Sequence, residues 1–224
     1  MVRTRMSAPR WAGVVTMLSI AALALISCGA PEWTYVTNTD ERTYAKVPVT
    51  WNDVSNGLDP PGAILGLSAD HLSWVRVFDA APQPSIEHVT GTAAAGSPTM
   101  VLLVLNLPAQ ARGKVGFDFL RDMVLPVSVQ SRSILAAQPM SPLGDFKLYD
   151  DQTLTPGNGL RGVRTVYSYS LGGGPPQVFD QTAYANDDAS KVYLITIRCS
   201  LDCYKQNADQ INDVASSFTV REQL

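Results

Sequence analysis

The chain contains three cysteines, whose thiols could form a disulfide, bind a metal ion or carry a lipid. Cys199 and Cys203 are separated by three residues, and the remaining cysteine, Cys28, lies far from them. Their Cys-x-x-x-Cys spacing differs from the Cys-x-x-Cys of redox enzymes and zinc ribbons, and no histidine is nearby in sequence. An even pair in an oxidising compartment favours a structural disulfide over two free thiols or a redox site. We therefore predict a Cys199–Cys203 disulfide at a corner where a strand turns into a helix.

The two histidines, His71 and His88, are the residues whose unperturbed side chains titrate near neutral pH. His71 follows Ser68 and Asp70, and these three residue types also form hydrolytic triads. Triad members, however, usually approach from separate segments, and the sequence has no Gly-x-Ser-x-Gly nucleophile elbow. Both histidines occur in stretches rich in Gly and Pro and are interpreted as surface-loop residues. We therefore expect no catalytic residues.

Paired acidic residues occur at 40–41, 150–151 and 187–188. A calcium site needs alternating oxygen ligands around a glycine turn, and none of the three pairs has that pattern. The glycine run 172–174 is followed by Pro175 and Pro176 instead of a helix, so it cannot cradle a phosphate and is interpreted as a hairpin tip. We expect no metal site and no cofactor.

Residues 1–27 have the organisation of an export signal. Arg3, Arg5 and Arg10 give a positive start, and an apolar run follows from Trp11 to Ile26. At about 1.5 Å per residue this run is shorter than the ~30 Å hydrocarbon core of a bilayer. A cleaved signal peptide is therefore favoured over a permanent membrane span.

The end of this segment, Leu25-Ile26-Ser27-Cys28, resembles the bacterial lipobox. The resemblance implies a diacylglyceryl group on the sulfur of Cys28 and cleavage before that residue. The acyl chains would hold the protein on the lipid bilayer, at the outer side of the cell membrane. The predicted organisation is a lipoprotein signal peptide at 1–27, a linker after the lipidated cysteine at 28–32, and a single domain at 33–224. An ordinary signal peptide with a chance cysteine near its end is the alternative.

Composition is that of a folded domain. Hydrophobic residues make up 46 % of the 224 residues and charged residues 17 %, which is too apolar for a disordered chain. The net charge is −3 and becomes −6 without 1–27, because that segment contains three arginines and no acidic residue. An acidic balance argues against a nucleic-acid partner, since phosphate binding needs a basic surface.

Hydrophobic patterning predicts an antiparallel sheet packed by helices. Period-two alternation in four late segments joined by tight turns indicates a meander of hairpins. The predicted strands are 33–37, 42–49, 72–78, 100–107, 146–155, 162–171, 177–186 and 191–198. Apolar residues at spacings of three and four predict helices at 113–124 and about 202–218, with Asp202 as the N-cap of the second. Residues 79–98 are predicted to be a long loop, and 127–143 are left unassigned apart from one helical turn at 134–136. The predicted fold class is α+β, with a curved antiparallel β-sheet.

The order of these parts is similar to that of the PsbP-like group. The likeness is carried by a strand that ends in Val47-Pro48-Val49-Thr50-Trp51, a meander that ends at 192–196 and a final helix that ends at 215–220. This group includes extrinsic photosystem proteins, Mog-type import factors and many bacterial lipoproteins, and the chain most resembles uncharacterised secreted lipoproteins of actinobacterial type. The resemblance implies an α/β/α sandwich, no shared catalytic machinery and a tendency to bind or assist other proteins.

Trp33, Trp51 and Trp74 are the aromatic residues considered for binding. Core packing is the favoured interpretation, and an exposed aromatic patch for a peptide or glycan is the alternative. The leading hypothesis is a non-enzymatic, membrane-anchored extracytoplasmic lipoprotein that binds or scaffolds an envelope protein or glycan. An envelope hydrolase with an active site that the sequence does not reveal, and a carrier of a small apolar molecule between sheet and helix, are the alternatives.

Overall fold

The computed structural model describes residues 32–58, 69–138 and 140–221. The predicted signal peptide at 1–27, Cys28 and most of the predicted linker therefore lie outside the described residues. Within the described ranges, no helix has the length and hydropathy needed to cross a membrane.

A seven-stranded antiparallel sheet forms the centre of the fold. Its strand order is β3-β4-β5-β9-β8-β7-β6, and a smaller sheet has the order β1-β2-β10. The strands are β1 Trp33–Asn38, β2 Thr43–Pro48, β3 Asn52–Asp53, β4 Leu72–Asp79, β5 Thr99–Asn106, β6 Leu143–Gly157, β7 Leu160–Leu171, β8 Pro176–Asn186, β9 Lys191–Ser200 and β10 Thr219–Val220. The helices are α1 Ile86–Thr90, α2 Ala109–Arg112, α3 Phe117–Arg121, α4 Val129–Ala136, α5 Leu201–Gln206 and α6 Ala208–Ser217, with 3₁₀ turns at Ser55–Gly57 and Ala69–His71.

Helices pack on both faces of the large sheet. Ile195 and Ile197 of β9 belong to a buried cluster that contains Ile211 of α6. Leu194, which directly precedes Ile195, belongs to a second cluster with Leu120 of α3. Because successive side chains of a strand point to opposite faces, this alternation buries β9 on both sides. The predicted α+β class and the α/β/α sandwich are confirmed.

The predicted strands are confirmed, with ends that differ by a few residues. The glycine run is the tip of the β7–β8 hairpin, where Gly172 and Gly173 have positive φ angles of 59° and 76°. Two consecutive residues with positive φ are typical of a tight hairpin turn, and glycine adopts this conformation without a steric cost.

The predicted helix at 113–124 is wrong as a single helix. The chain forms α2 and α3 instead, with Gly113 after α2 and Gly116 before α3. Glycine is a poor helix former, which explains the interruption. Leu120, one of the apolar residues on which the helix prediction rested, is nevertheless fully buried. Residues 79–98 are likewise not all loop, because they contain α1.

The predicted helix at 202–218 is divided at Asn207. The side-chain amide of Asn207 donates to the carbonyl of Cys203 at 2.8 Å, as does its backbone N–H at 3.0 Å. These bonds end α5, and the carbonyl of Asn207 then accepts from Ile211 N–H to begin α6. Ser200, not Asp202, is the N-cap of α5, because its hydroxyl accepts from the backbone N–H of Cys203.

The unassigned segment 127–143 contains α4, whose start is fixed by Asp122. This carboxylate accepts hydrogen bonds from the backbone of Val127 and from the hydroxyls of Ser128 and Ser131. Burial alone would raise the pKa of Asp122, but these hydrogen bonds lower it overall. Ser128 is also the N-cap of α4, so the turn predicted at 134–136 is the end of a longer helix.

Cys199 and Cys203 lie at the junction of β9 and α5, as predicted. Their Cα atoms are 5.8 Å apart and their sulfurs lie at disulfide-bonding distance. Both side chains are buried.

We predict that protein exported by a cell and purified without reductant contains this disulfide. Its intact mass should be about 2 Da below that of the reduced chain, because bond formation removes two hydrogens. Cys203→Ser should lower the free energy of unfolding by about 1–3 kcal/mol, towards the lower end because the closed loop is short. Reduced wild-type protein is the control and should match the variant. Two thiols that react with an alkylating agent before reduction would contradict the prediction.

Candidate functional site

A cleft of about 560 Å³ opens on one face of the large sheet, and we call it the α5–α6 cleft. Helices α5 and α6 pack on β2, β8 and β9. They form one wall of the cleft, and strands β6, β7 and β8 form its floor and opposite wall. The floor and the strand wall consist of Arg164, Val166, Val178, Tyr149, Asp150 and Gln152. The helix wall consists of Leu201, Tyr204, Lys205, Ala208, Asp209 and Asn212. This volume lies within the range of small-ligand sites.

A buried ion pair lies at the base of the cleft. Arg164 of β7 donates two hydrogen bonds to Asp180 of β8, from Nε at 3.0 Å and from Nη2 at 2.8 Å. Asp180 is fully buried, and the Arg164 side chain is 16 % exposed. A two-pronged contact of this kind fixes the guanidinium plane and provides the partner that a buried carboxylate requires.

The ion pair also connects the sheet to both C-terminal helices. Nη1 of Arg164 donates to Oδ1 of Asn212 at 3.0 Å and to the Ser216 hydroxyl at 3.3 Å, both on α6. The Tyr204 hydroxyl on α5 donates to Oδ2 of Asp180 at 3.1 Å. The two cleft walls are therefore held by one polar network.

Arg164 and Tyr204 both keep their protons at neutral pH. The hydrogen bonds with Asp180 raise the pKa of Arg164 despite its burial, so the guanidinium stays charged. Burial, together with the Asp180 carboxylate, raises the pKa of Tyr204 well above its usual range. Tyr204 therefore stays protonated and acts as a hydrogen-bond donor to Asp180.

The three tryptophans do not form an exposed patch. Trp51 is buried in the cluster around α6, and its indole N–H donates to Oε1 of Gln210 at 3.3 Å. Trp33 and Trp74 are partly buried against the same cluster. The favoured interpretation, core packing, agrees with this arrangement, and the alternative of an exposed binding patch is corrected, because packing between the two sheets and α6 covers these rings.

His88 is not a loop residue, which corrects its interpretation from sequence. It lies on α1, and its Nδ1 is 2.7 Å from Oδ2 of Asp79. Asp79 is fully buried and also accepts the backbone N–H groups of Ala81 and Ser85. All three contacts fasten the segment from the end of β4 to α1. His71 is exposed in the 3₁₀ turn before β4.

A pocket of about 320 Å³ lies beside His88 and is lined mainly by small residues at 93–97. Within the described ranges, no serine, threonine or cysteine side chain is hydrogen-bonded to His88. The same ranges contain no convergence of three His, Cys, Asp or Glu side chains that could hold a metal ion.

Sequence reasoning missed Arg164, Asp180 and Tyr204. One signal was present: Asp180 lies within the predicted strand 177–186, and a carboxylate that is buried in a strand needs a cationic partner. The partner Arg164 lies on the preceding strand, and the register between β7 and β8 brings the two together.

No family model and no curated protein matches the sequence. Among solved structures, the chain is similar to the solution structure of cyanobacterial PsbP, CyanoP, from Synechocystis. The TM-score is 0.52 at 13 % identity, over 87 % of this chain and 96 % of that chain. This similarity confirms the predicted PsbP-like fold.

Two further solved structures are similar at lower scores. The Saccharomyces cerevisiae Ran-binding protein Mog1p has a TM-score of 0.45 at 11 % identity, over 85 % of this chain and 96 % of that chain. Mycobacterium tuberculosis LpqN, described as involved in cell envelope biogenesis, has a TM-score of 0.45 at 16 % identity, over 84 % of this chain and 90 % of that chain.

We predict that Asp180→Ala lowers the free energy of unfolding by about 3–5 kcal/mol, because Arg164 is left buried without its counterion. The double variant Asp180→Leu with Arg164→Met should recover most of the loss, since no buried charge remains. Urea unfolding followed by circular dichroism measures both effects.

Arg76→Ala is the matched control for this pair. It removes an exposed pair with Asp53, in which the atoms are 3.9 Å apart, and should cost less than about 1 kcal/mol. Equal losses in Asp180→Ala and Arg76→Ala would show that the Arg164–Asp180 pair has no special structural role.

Proposed function

We propose that the protein is a membrane-anchored extracytoplasmic lipoprotein that binds an envelope component in the α5–α6 cleft and has no catalytic step. The observation that supports this proposal is the cleft, which has the size of a ligand site and whose polar groups are held in place by hydrogen bonds. Sites of this kind combine an apolar surface with a few oriented polar groups. Val166, Val178 and Leu201 provide the apolar surface, and the Arg164–Asp180 network holds the polar groups.

The chemistry of the cleft supports binding more than hydrolysis. Its lining contains no histidine, cysteine, serine or threonine among the described residues. Its carboxylates are Asp150, which is half-buried, and Asp209, which is exposed. A carboxyl that must stay protonated as a general acid needs a buried apolar environment, and neither residue has one.

The cleft also argues against a carrier of a small apolar molecule. Its walls contain the charged groups of Lys205, Asp150 and Asp209 and the amides of Gln152 and Asn212. An apolar ligand would remove these groups from water without offering them hydrogen bonds, at a cost of about 1–3 kcal/mol for each buried group. A ligand with its own polar groups fits better.

Attachment to the membrane is proposed through acyl chains on Cys28, on the basis of the lipobox resemblance. Such chains contribute about 0.8 kcal/mol for each buried CH₂, and two or more of them anchor a domain stably. The anchor would keep the binding site at the envelope.

The expected result of Cys28→Ala is release of the protein or accumulation of an unprocessed precursor, because no sulfur remains to accept the lipid. Metabolic labelling with radioactive palmitate, followed by immunoprecipitation, measures this. Cys203→Ser is the matched control and should keep the label. Label on the Cys28→Ala protein would contradict lipidation at this residue.

Photo-crosslinking in living cells tests the binding site. Benzoylphenylalanine in place of Gln152, which lines the cleft, should give an adduct after irradiation, since any bound molecule with C–H bonds lies within reach. The same group in place of Tyr35 is the control, because Tyr35 is 75 % exposed on β1 and does not line the cleft. Mass spectrometry identifies the adducts. Absence of an adduct from position 152, or the same adducts from both positions, would refute the cleft as the ligand site.

A further inference from the structure

We propose that the α5–α6 cleft binds a neutral sugar unit of a glycan. This inference rests on the proposed function of the cleft as a ligand site and adds the chemical class of the ligand. Four features of the cleft support it. An aromatic ring is held in place, two side-chain amides are oriented, the charges nearly balance, and the backbone of the floor strands is already hydrogen-bonded on both sides.

Tyr149 provides the aromatic surface. Its side chain is 42 % exposed, and its hydroxyl lies 3.2 Å from the hydroxyl of Ser168 on β7, which holds the ring in place. The ammonium of Lys147 lies 5.0 Å from the ring centre and covers one face of the ring. Lys147 does not line the cleft, so the ring can offer only its other face to a ligand. The negative face of an aromatic ring attracts C–H groups, and one side of a sugar ring presents several of them.

Two amides are oriented by internal hydrogen bonds. Oδ1 of Asn212 accepts from Arg164 and Ser216, so its two N–H donors remain for a ligand. Gln152 has the opposite arrangement: its Nε2 donates to Asp150 at 2.6 Å, and its carbonyl remains as an acceptor.

These donors and acceptors suit hydroxyl groups. The side chains of Lys205 and Asp209 make no hydrogen bond or ion pair within the described part of the chain, so they add a free ammonium, which only donates, and a free carboxylate, which only accepts. A hydroxyl both donates and accepts, and therefore satisfies a mixed set in any order. A polyhydroxylated ligand meets this requirement at several positions.

The charge balance favours a neutral ligand. Asp180 already compensates Arg164, and Lys205 is opposed by Asp150 and Asp209. With two cations and three carboxylates, the cleft has a net charge of −1 and would repel a phosphate or an acidic sugar.

The strand pairing disfavours an extended peptide in the cleft. Both floor strands, β7 and β8, are hydrogen-bonded to neighbours on each side, so no free backbone is available to pair with a peptide. The edge strand next to β7 is β6, and its pairing with β7 is interrupted at 144–147, 148–150 and 154–157. Bulges of this kind protect an edge against strand addition.

The test is a titration of the purified mature domain with maltotriose, mannotriose and arabinotriose, and with trigalacturonic acid as the charged comparison. Saturation-transfer NMR detects binding, and calorimetry gives the affinity. At least one neutral trisaccharide should bind more tightly than trigalacturonic acid. Tyr149→Ala should weaken that binding at least about tenfold, which corresponds to about 1.4 kcal/mol.

Tyr149→Phe and Tyr35→Ala are the controls. The first keeps the aromatic ring but removes its contact with Ser168, so it should weaken the binding less than Tyr149→Ala does. The second removes an exposed tyrosine outside the cleft and should leave the affinity unchanged. Thermal unfolding of each variant verifies that the fold is intact.

Three results would overturn the sugar assignment: no binding of any neutral trisaccharide, tighter binding of trigalacturonic acid, or binding that Tyr149→Ala leaves unchanged. If the benzoylphenylalanine at position 152 then captures a peptide or another ligand, the cleft remains the ligand site and only the ligand class is wrong. If that position captures nothing, the proposed function itself fails.

Discussion

The buried carboxylate of Asp180 is the constraint on which the arrangement of the C-terminal half depends. A carboxylate without access to water needs a cation and further donors, and Arg164 and Tyr204 provide them. Because Arg164 belongs to β7, Tyr204 to α5 and Asn212 to α6, satisfying this one group fixes the positions of both helices relative to the sheet. The walls of the α5–α6 cleft therefore lie where they do because the Asp180 carboxylate at its base must be paired.

Gln181, the next residue of β8, attaches a helix to the opposite face of the sheet. The side-chain amide of Gln181 donates to the backbone carbonyls of Leu120 and Arg121, at 2.7 Å and 3.1 Å. These carbonyls are at the end of α3, where a short helix leaves acceptors without partners. Because neighbouring residues of a strand point to opposite faces, Asp180 and Gln181 attach helices on both sides of β8. The sandwich therefore has specific polar attachments in addition to its apolar clusters, and the side chains at their centre, Asp180 and Gln181, are fully buried.

The sequence predicted local features better than long-range ones. The strands from β7 to β9 were predictable because their alternation and their Gly- and Asp-containing turns are local signals. The division of the last helix at Asn207 was not, because it depends on whether one side-chain amide bonds its own backbone or solvent. The Arg164–Asp180 pair was also missed, although Asp180 is unusual in a buried strand. Its partner could be identified only from the register of the β7–β8 hairpin.

For the tryptophans, sequence reasoning favoured core packing and kept a binding patch as the alternative, and it did not consider Tyr149. Tryptophan is the usual anchor of a binding surface, but Trp51 has a larger apolar area to bury than Tyr149 and lies between the sheets and α6. Tyr149 lies on the exposed edge strand β6, where no helix covers it, and a single hydroxyl contact with Ser168 holds its ring. A ring held in this way loses little conformational entropy when a ligand binds, and the oriented amides beside it require no rearrangement. A ligand that needs only an aromatic face and fixed hydrogen-bonding groups can therefore bind the cleft as the fold already presents it.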